Sequence, residues 1–187
     1  MASTETASAG KAVVREEDLV VRPGARKVLA VLRVIVGFYF LWAFIDKTFG
    51  FGFSTAHDNA WIRGGTPAQG FITYVASSSP FSGFFNLFAN PFGDILFMIG
   101  LLAIGLALVL GIGLKVTSIA APLLLLFMYL AEWPIATGGT DGAATNPIVD
   151  DHWVMAFAII FFMLVRAGDT WGLGKWWRGL VGESWLR

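Results

Sequence analysis

The sequence predicts an all-α integral membrane protein: a four-helix bundle with short interfacial or re-entrant helices between the first and second spans. Three observations predict it. Of the 187 residues, 56% are hydrophobic and only 14% charged, and the mean hydropathy of +0.69 lies well beyond that of a soluble domain. Apolar runs long enough to cross a bilayer recur along the chain, each bounded by charged residues. The 13 Lys and Arg residues divide 11 to 2 between the two ends of such a bundle, which sets its orientation.

Residues 1–24 carry Lys11, Arg15, Glu16, Glu17, Asp18 and Arg22 in a Ser/Thr/Ala-rich setting without an apolar core. They read as a flexible cytosolic tail, not a signal peptide. The membrane domain is expected over 25–168. Its first span is the apolar run 28–45, flanked by Arg26, Lys27 and Arg33 and stopped by Asp46 and Lys47. The second is 95–114, preceded by Asp94. The third is 116–131, joined to the second through Gly111, Gly113 and Lys115 and stopped by Glu132, Trp133 and Pro134.

The fourth opens at Asn146-Pro147, where Asn is a good helix cap and Pro suits the first helical position. Counted from there, 147–166 is roughly 20 residues, about 30 Å, and Asp150, Asp151 and His152 fall one to two turns inside. Between the first two spans, Thr66-Pro67 and the Phe-rich stretch after Ser77-Ser78-Ser79-Pro80 predict two short helices that roof the outer ends without crossing. The tail 169–187 reads as amphipathic and interfacial, with Trp171, Trp176, Trp177 and Trp185 at the membrane boundary. The basic bias predicts a multi-pass protein of the plasma (inner) membrane with both termini cytoplasmic.

Several function classes are excluded or disfavoured by composition. Zero net charge gives no sign of a nucleic-acid partner. The absence of cysteine removes disulfides, iron–sulfur clusters, thiolate nucleophiles and Cys-ligated zinc. Redox chemistry would have to come from a cofactor, a quinone or a partner. With only His57 and His152 available, and one of them on a loop, a bis-histidine haem is disfavoured and no metal site is expected.

Every predicted span brings polar groups to the outer end: Asp46 and Lys47, Asp94, Glu132, and the Asp150, Asp151, His152 group. Carboxylates at helix ends also complement the helix dipole, and that reading is preferred for Asp46 in its helical setting and for Asp94. Consecutive ionisable residues inside a membrane helix favour a functional role. Asp151, His152 and Asp150 are therefore the candidate catalytic residues, able to exchange protons with a redox ligand. Trp61, Arg63 and the Gly64-Gly65-Thr66-Pro67 turn could hold a small oxyanion. Arg63 reads equally as a rim partner of Asp58 or an interface anchor. Arg63, Trp61, Lys47 and Asp46 form the candidate substrate-binding set.

The segments Asp46-Lys47-Thr48-Phe49-Gly50, Ala60-Trp61-Ile62-Arg63-Gly64-Gly65 with Pro67 and Gly70-Phe71, and Asn146-Pro147 with Asp150-Asp151-His152 resemble the DoxX family. Within it the chain is most similar to the branch resembling the large, DoxD-type subunit of thiosulfate:quinone oxidoreductase. The resemblance runs over about 28–174. It implies a four-helix membrane protein that passes electrons from a small sulfur compound or a partner protein to quinone, in contact with a further subunit or a second copy of itself. The lack of cysteine leaves no covalent sulfur carrier on this chain. Two other classes stand beside that reading: a non-catalytic membrane anchor or accessory subunit, and a small transporter, the latter disfavoured because no inverted repeat or broken-helix pair is visible.

Overall fold

Residues 13–137, 146 and 148–187 are described by the computed structural model, which is helical with no strand among them. A single turn, α1 (Glu16–Leu19), precedes α2 (Pro23–Phe49). Proline at its first position starts α2, and Gly50, at φ 68°, ends it in the left-handed conformation. The connection from α2 onward holds α3 (Pro67–Tyr74) and α4 (Ser82–Phe85), with single 3-10 turns before, between and after them. Next come α5 (Pro91–Leu110), capped by Asn90 accepting from the Gly93 amide, and α6 (Leu114–Glu132). The turn between them needs positive φ twice, at Gly111 (71°) and Gly113 (60°). One further turn, α7 (Pro134–Thr137), is followed by α8 (Asp151–Leu164) and the tail helix α9 (Gly174–Val181).

Three helices, α2, α5 and α6, are long and apolar enough to cross a membrane; α8, with 14 residues, is apolar but shorter. They pack as two pairs, α2 on α5 and α6 on α8, joined through α5 and α6. The α2–α5 crossing is close because both helices present glycine. A Cβ on Gly37 would stand 2.7 Å from Leu108 Cβ, and one on Gly105 would stand 2.8 Å from the Leu41 amide nitrogen. Phe40, Met98, Leu108, Leu125, Ile159 and Phe162 form the centre of the core. Outward-facing Ile35, Phe38, Ile99, Ile119 and Phe157 are exposed, as apolar residues are when lipid is the solvent.

The second expected span is found about a turn earlier, at 91–110, and the third within two residues of expectation, at 114–132, because Asn90 and Gly113 set the starts. The fourth requires a correction. It begins at Asp151, not Pro147, a position outside the described residues. The Asp150 side chain accepts the His152 amide at 3.1 Å and is the cap. Asn146 instead accepts the amides of Ile148 (2.9 Å) and Val149 (3.1 Å) in a separate turn. Asp151 and His152 therefore lie in the first turn of α8, and not one to two turns inside it. Residues 13–22, expected within the tail, include the helical turn α1 and bring Glu16 into burial.

The connection over 66–88 forms the short helices that its apolar pieces suggest, and they pack on α6. Ile72, Ala76 and Phe85 pack on Ala131 near the C-terminal end of α6, Ser79 Oγ donates to the Leu130 carbonyl at 2.6 Å, and Phe81 meets Trp133 edge-on.

Candidate functional site

Asp150, at the start of α8, has both oxygens engaged. Oδ1 caps the helix through the His152 amide, and Oδ2 lies 2.9 Å from His152 Nδ1. Asp151 Oδ1 stands 3.7 Å from the same nitrogen but points outward, its side chain 63% exposed. His152 is buried. Glu132, the last residue of α6, completes the group: its carboxylate, one oxygen of Asp150 and a ring nitrogen of His152 lie within 4.8 Å of one another. Tyr39 of α2 is near enough for Asp151 and Glu132 to act on its hydroxyl. Tyr129 donates to the Ile148 carbonyl at 3.0 Å and stacks edge-on with Trp153. One imidazole thus sits among three carboxylates from two helices, with no Lys or Arg ion pair to them among the described residues.

Below this group an apolar groove of about 210 Å³ runs between α6 and α8, lined by Leu125, Leu126, Trp153, Phe157 and Ile160, with His152 and Tyr129 as its polar end. The indole N–H of Trp153 is buried and has no acceptor, although buried donors are normally paired.

The other candidate residues separate into two environments. Lys47 and Arg63 line one polar groove of about 620 Å³, together with Asp58, Gly64 and Gly65. Arg63 is exposed and makes no ion pair among the described residues, with Asp58 or otherwise. Lys47 Nζ is 3.4 Å from Ser54 Oγ. Trp61 does not line this groove; it packs against the core.

Asp46 is fully buried and turned to its own loop, accepting from the amides of Phe51 (3.2 Å), Ser54 (2.9 Å) and Thr55 (2.9 Å) and from Ser54 Oγ (2.8 Å). Asp94 plays a similar part for α3. It accepts from the amides of Ala68 (2.7 Å) and Gln69 (3.1 Å), supplying the cap that Thr66 does not. His57 lies exposed on a 3-10 turn.

Glu132, Tyr39, Tyr129 and Trp153 were not among the residues that the sequence singled out as a site. Glu132 carried a signal, a carboxylate ending an apolar helix just before Trp-Pro. The two tyrosines and the tryptophan carried none, since aromatics at a membrane boundary are ordinary. No protein-family model, curated protein or solved structure matches the chain.

Proposed function

We propose that this chain is the membrane subunit of a quinone-linked oxidoreductase, with α8 and its flanking turns crossing the bilayer as the fourth span. The observation that carries the reading is the groove between α6 and α8, which is apolar along its length and ends at His152. Such a groove fits a flat ring with a hydrocarbon tail entering from lipid. Quinone, the group that the sequence resemblance implies, accepts two electrons and two protons. Protons would reach the ring through His152, which Asp150 orients through Nδ1. Asp151, largely exposed, exchanges them with water. The unpaired indole N–H of Trp153 suits a carbonyl oxygen in the groove.

The electron donor in this reading is a small sulfur oxyanion or a partner protein. Lys47 and Arg63 on one polar groove beside Gly64 and Gly65 suit an oxyanion. With no cysteine to carry sulfur or a cluster, the chain works as one subunit of a larger assembly.

The test uses Asp151→Asn and His152→Ala, purified in detergent, with quinone occupancy, quinone-dependent turnover and Tm measured together. Lost occupancy or turnover at near-native Tm is the expected result. Undiminished quinone-dependent turnover in well-folded variants would refute the proton role. A merely structural pair would show the opposite pattern, a large fall in Tm as one buried group loses its partner.

A further inference from the structure

At the opposite end of the bundle, where α5 turns into α6 and α8 runs out, lies a cavity of about 180 Å³. Its floor is main chain: Gly111 and Gly168 touch so closely that a Cβ on Gly168 would fall 2.1 Å from the Gly111 carbonyl oxygen. Lys115, Arg166 and Arg187 line it, with Asp169 as the one carboxylate in the wall. Arg187 is buried, its side chain 8% exposed.

The local charge does not balance. Arg166 and Arg187 share Glu183, and Arg187 also reaches Asp169 at 3.4 Å. Lys115 has no carboxylate; its Nζ contacts only the carbonyls of Ser184 (2.8 Å) and Glu183 (3.5 Å). Arg178, close enough to act on Asp169, keeps one buried Nη1 with no acceptor. Lys115, Arg166 and Arg187 thus line the cavity with Asp169, while Glu183 pairs with the two arginines and buried Glu16 stands beside Asp169. The first turn of α6 borders the cavity at Gly113, and its Lys115 amide donates to the main-chain oxygen of Arg187 at 3.1 Å.

We propose that this cavity binds the phosphate of an anionic phospholipid headgroup. The wall opposite the cations decides between a lipid and free phosphate. It is made by Met163, Leu164 and Trp177, which soluble phosphate would not use and which a glycerol backbone and acyl chain would cover. The neighbouring Trp171, Trp176 and Trp185 are exposed, as at a headgroup boundary. This site is independent of the quinone reading at the other end of the bundle.

The full-length protein, stripped of lipid in detergent, is titrated with phosphatidylglycerol, with phosphatidylcholine and with inorganic phosphate, and followed by Tm and by native mass spectrometry. Phosphatidylglycerol is expected to raise Tm and to remain bound, with phosphatidylcholine inactive. Lys115→Gln, which removes a cation held only by carbonyls, should weaken binding about fivefold, the contribution of one cation near an anionic surface, and Lys115→Arg should restore it. Equal effects of the two lipids, or undiminished binding by Lys115→Gln, would overturn the proposal. Protection by inorganic phosphate alone at similar concentration, lost in Lys115→Gln, would overturn the assignment to lipid.

Discussion

Arg33 Nε donates to the carbonyl of Ala167 across 3.1 Å, tying α2 to the segment that follows α8. The same guanidinium donates to the carbonyls of Leu108 and Val109, in the last turn of α5, and to that of Trp171. It is fully buried and saturates main-chain acceptors that a helix end leaves open.

Arg33→Leu strands those carbonyls and should cost on the order of 3 kcal/mol or more. Arg33→Lys should recover little, because one ammonium cannot reproduce the planar fork. Thermal melting of both variants in the same detergent checks this; a native-like melt for Arg33→Lys would contradict it.

Gly105→Val should destabilise the α2–α5 pair by a few kcal/mol, since its side chain meets the Leu41 main chain. Gly100→Ala on the same helix, with open space around it, is expected to be neutral. The comparison separates close packing from helix propensity.

Asp46→Ala leaves three amides of the 51–55 turn without their acceptor, and Asp94→Ala uncaps α3. Each is expected to cost about 1–3 kcal/mol and to raise amide exchange and proteolysis in 50–70, while α5 and α6 stay protected. Loss of quinone without any loosening of that segment would mean that Asp46 has a ligand role.

Burial holds the carboxyls of Glu16 and Asp169 above their ordinary pKa. Nearby Thr170 offsets this in part for Glu16, and surrounding amide and cationic groups do so for Asp169. A raised pKa in the folded state means that the favourable contribution is fully present below the unfolded value and lost as pH rises through the folded one. Docking of 13–22 on this end should therefore weaken from acid toward neutral pH. Glu16→Gln should raise Tm at neutral pH and flatten that dependence; a lower Tm for this variant at neutral pH would contradict it.

The chain has no cysteine, so single cysteines at Ser8, Thr140 and Ser184 report sidedness. With both termini cytoplasmic, an impermeant maleimide should label only the Thr140 site in intact cells. Labelling at Ser8 or Ser184 would reverse the orientation.

The helical class and three membrane-length helices were legible because apolar runs of that length, bounded by glycine, proline and charge, have few other uses. The short helices over 66–88 were legible from their interrupted apolar pieces. The start of α8 was not, because Asn146 and Asp150 are both competent caps and only the hydrogen bonds show which one the helix uses. Nor was Asp94 as a cap for α3, since that partnership crosses 26 positions of sequence. The role of Arg33 was hidden for a related reason. A basic residue near a helix start reads as a positive-side marker, and its four acceptors come from remote parts of the chain.

The shortness of α8 has a consequence for the membrane itself. Fourteen residues rise about 21 Å, against about 30 Å of hydrocarbon. On the proposal that α8 and its flanking turns form the fourth span, the turns cover part of that gap and lipid the rest, and Asp150 and His152 stand at one of the two ends where it must be met. Lipid there must thin to meet it, so that water descends toward His152 and a proton crosses less low-dielectric distance. Bilayer thickness then becomes a control variable: in thick, long-chain membranes the dimple costs more, and proton delivery to the groove should slow although no residue has changed.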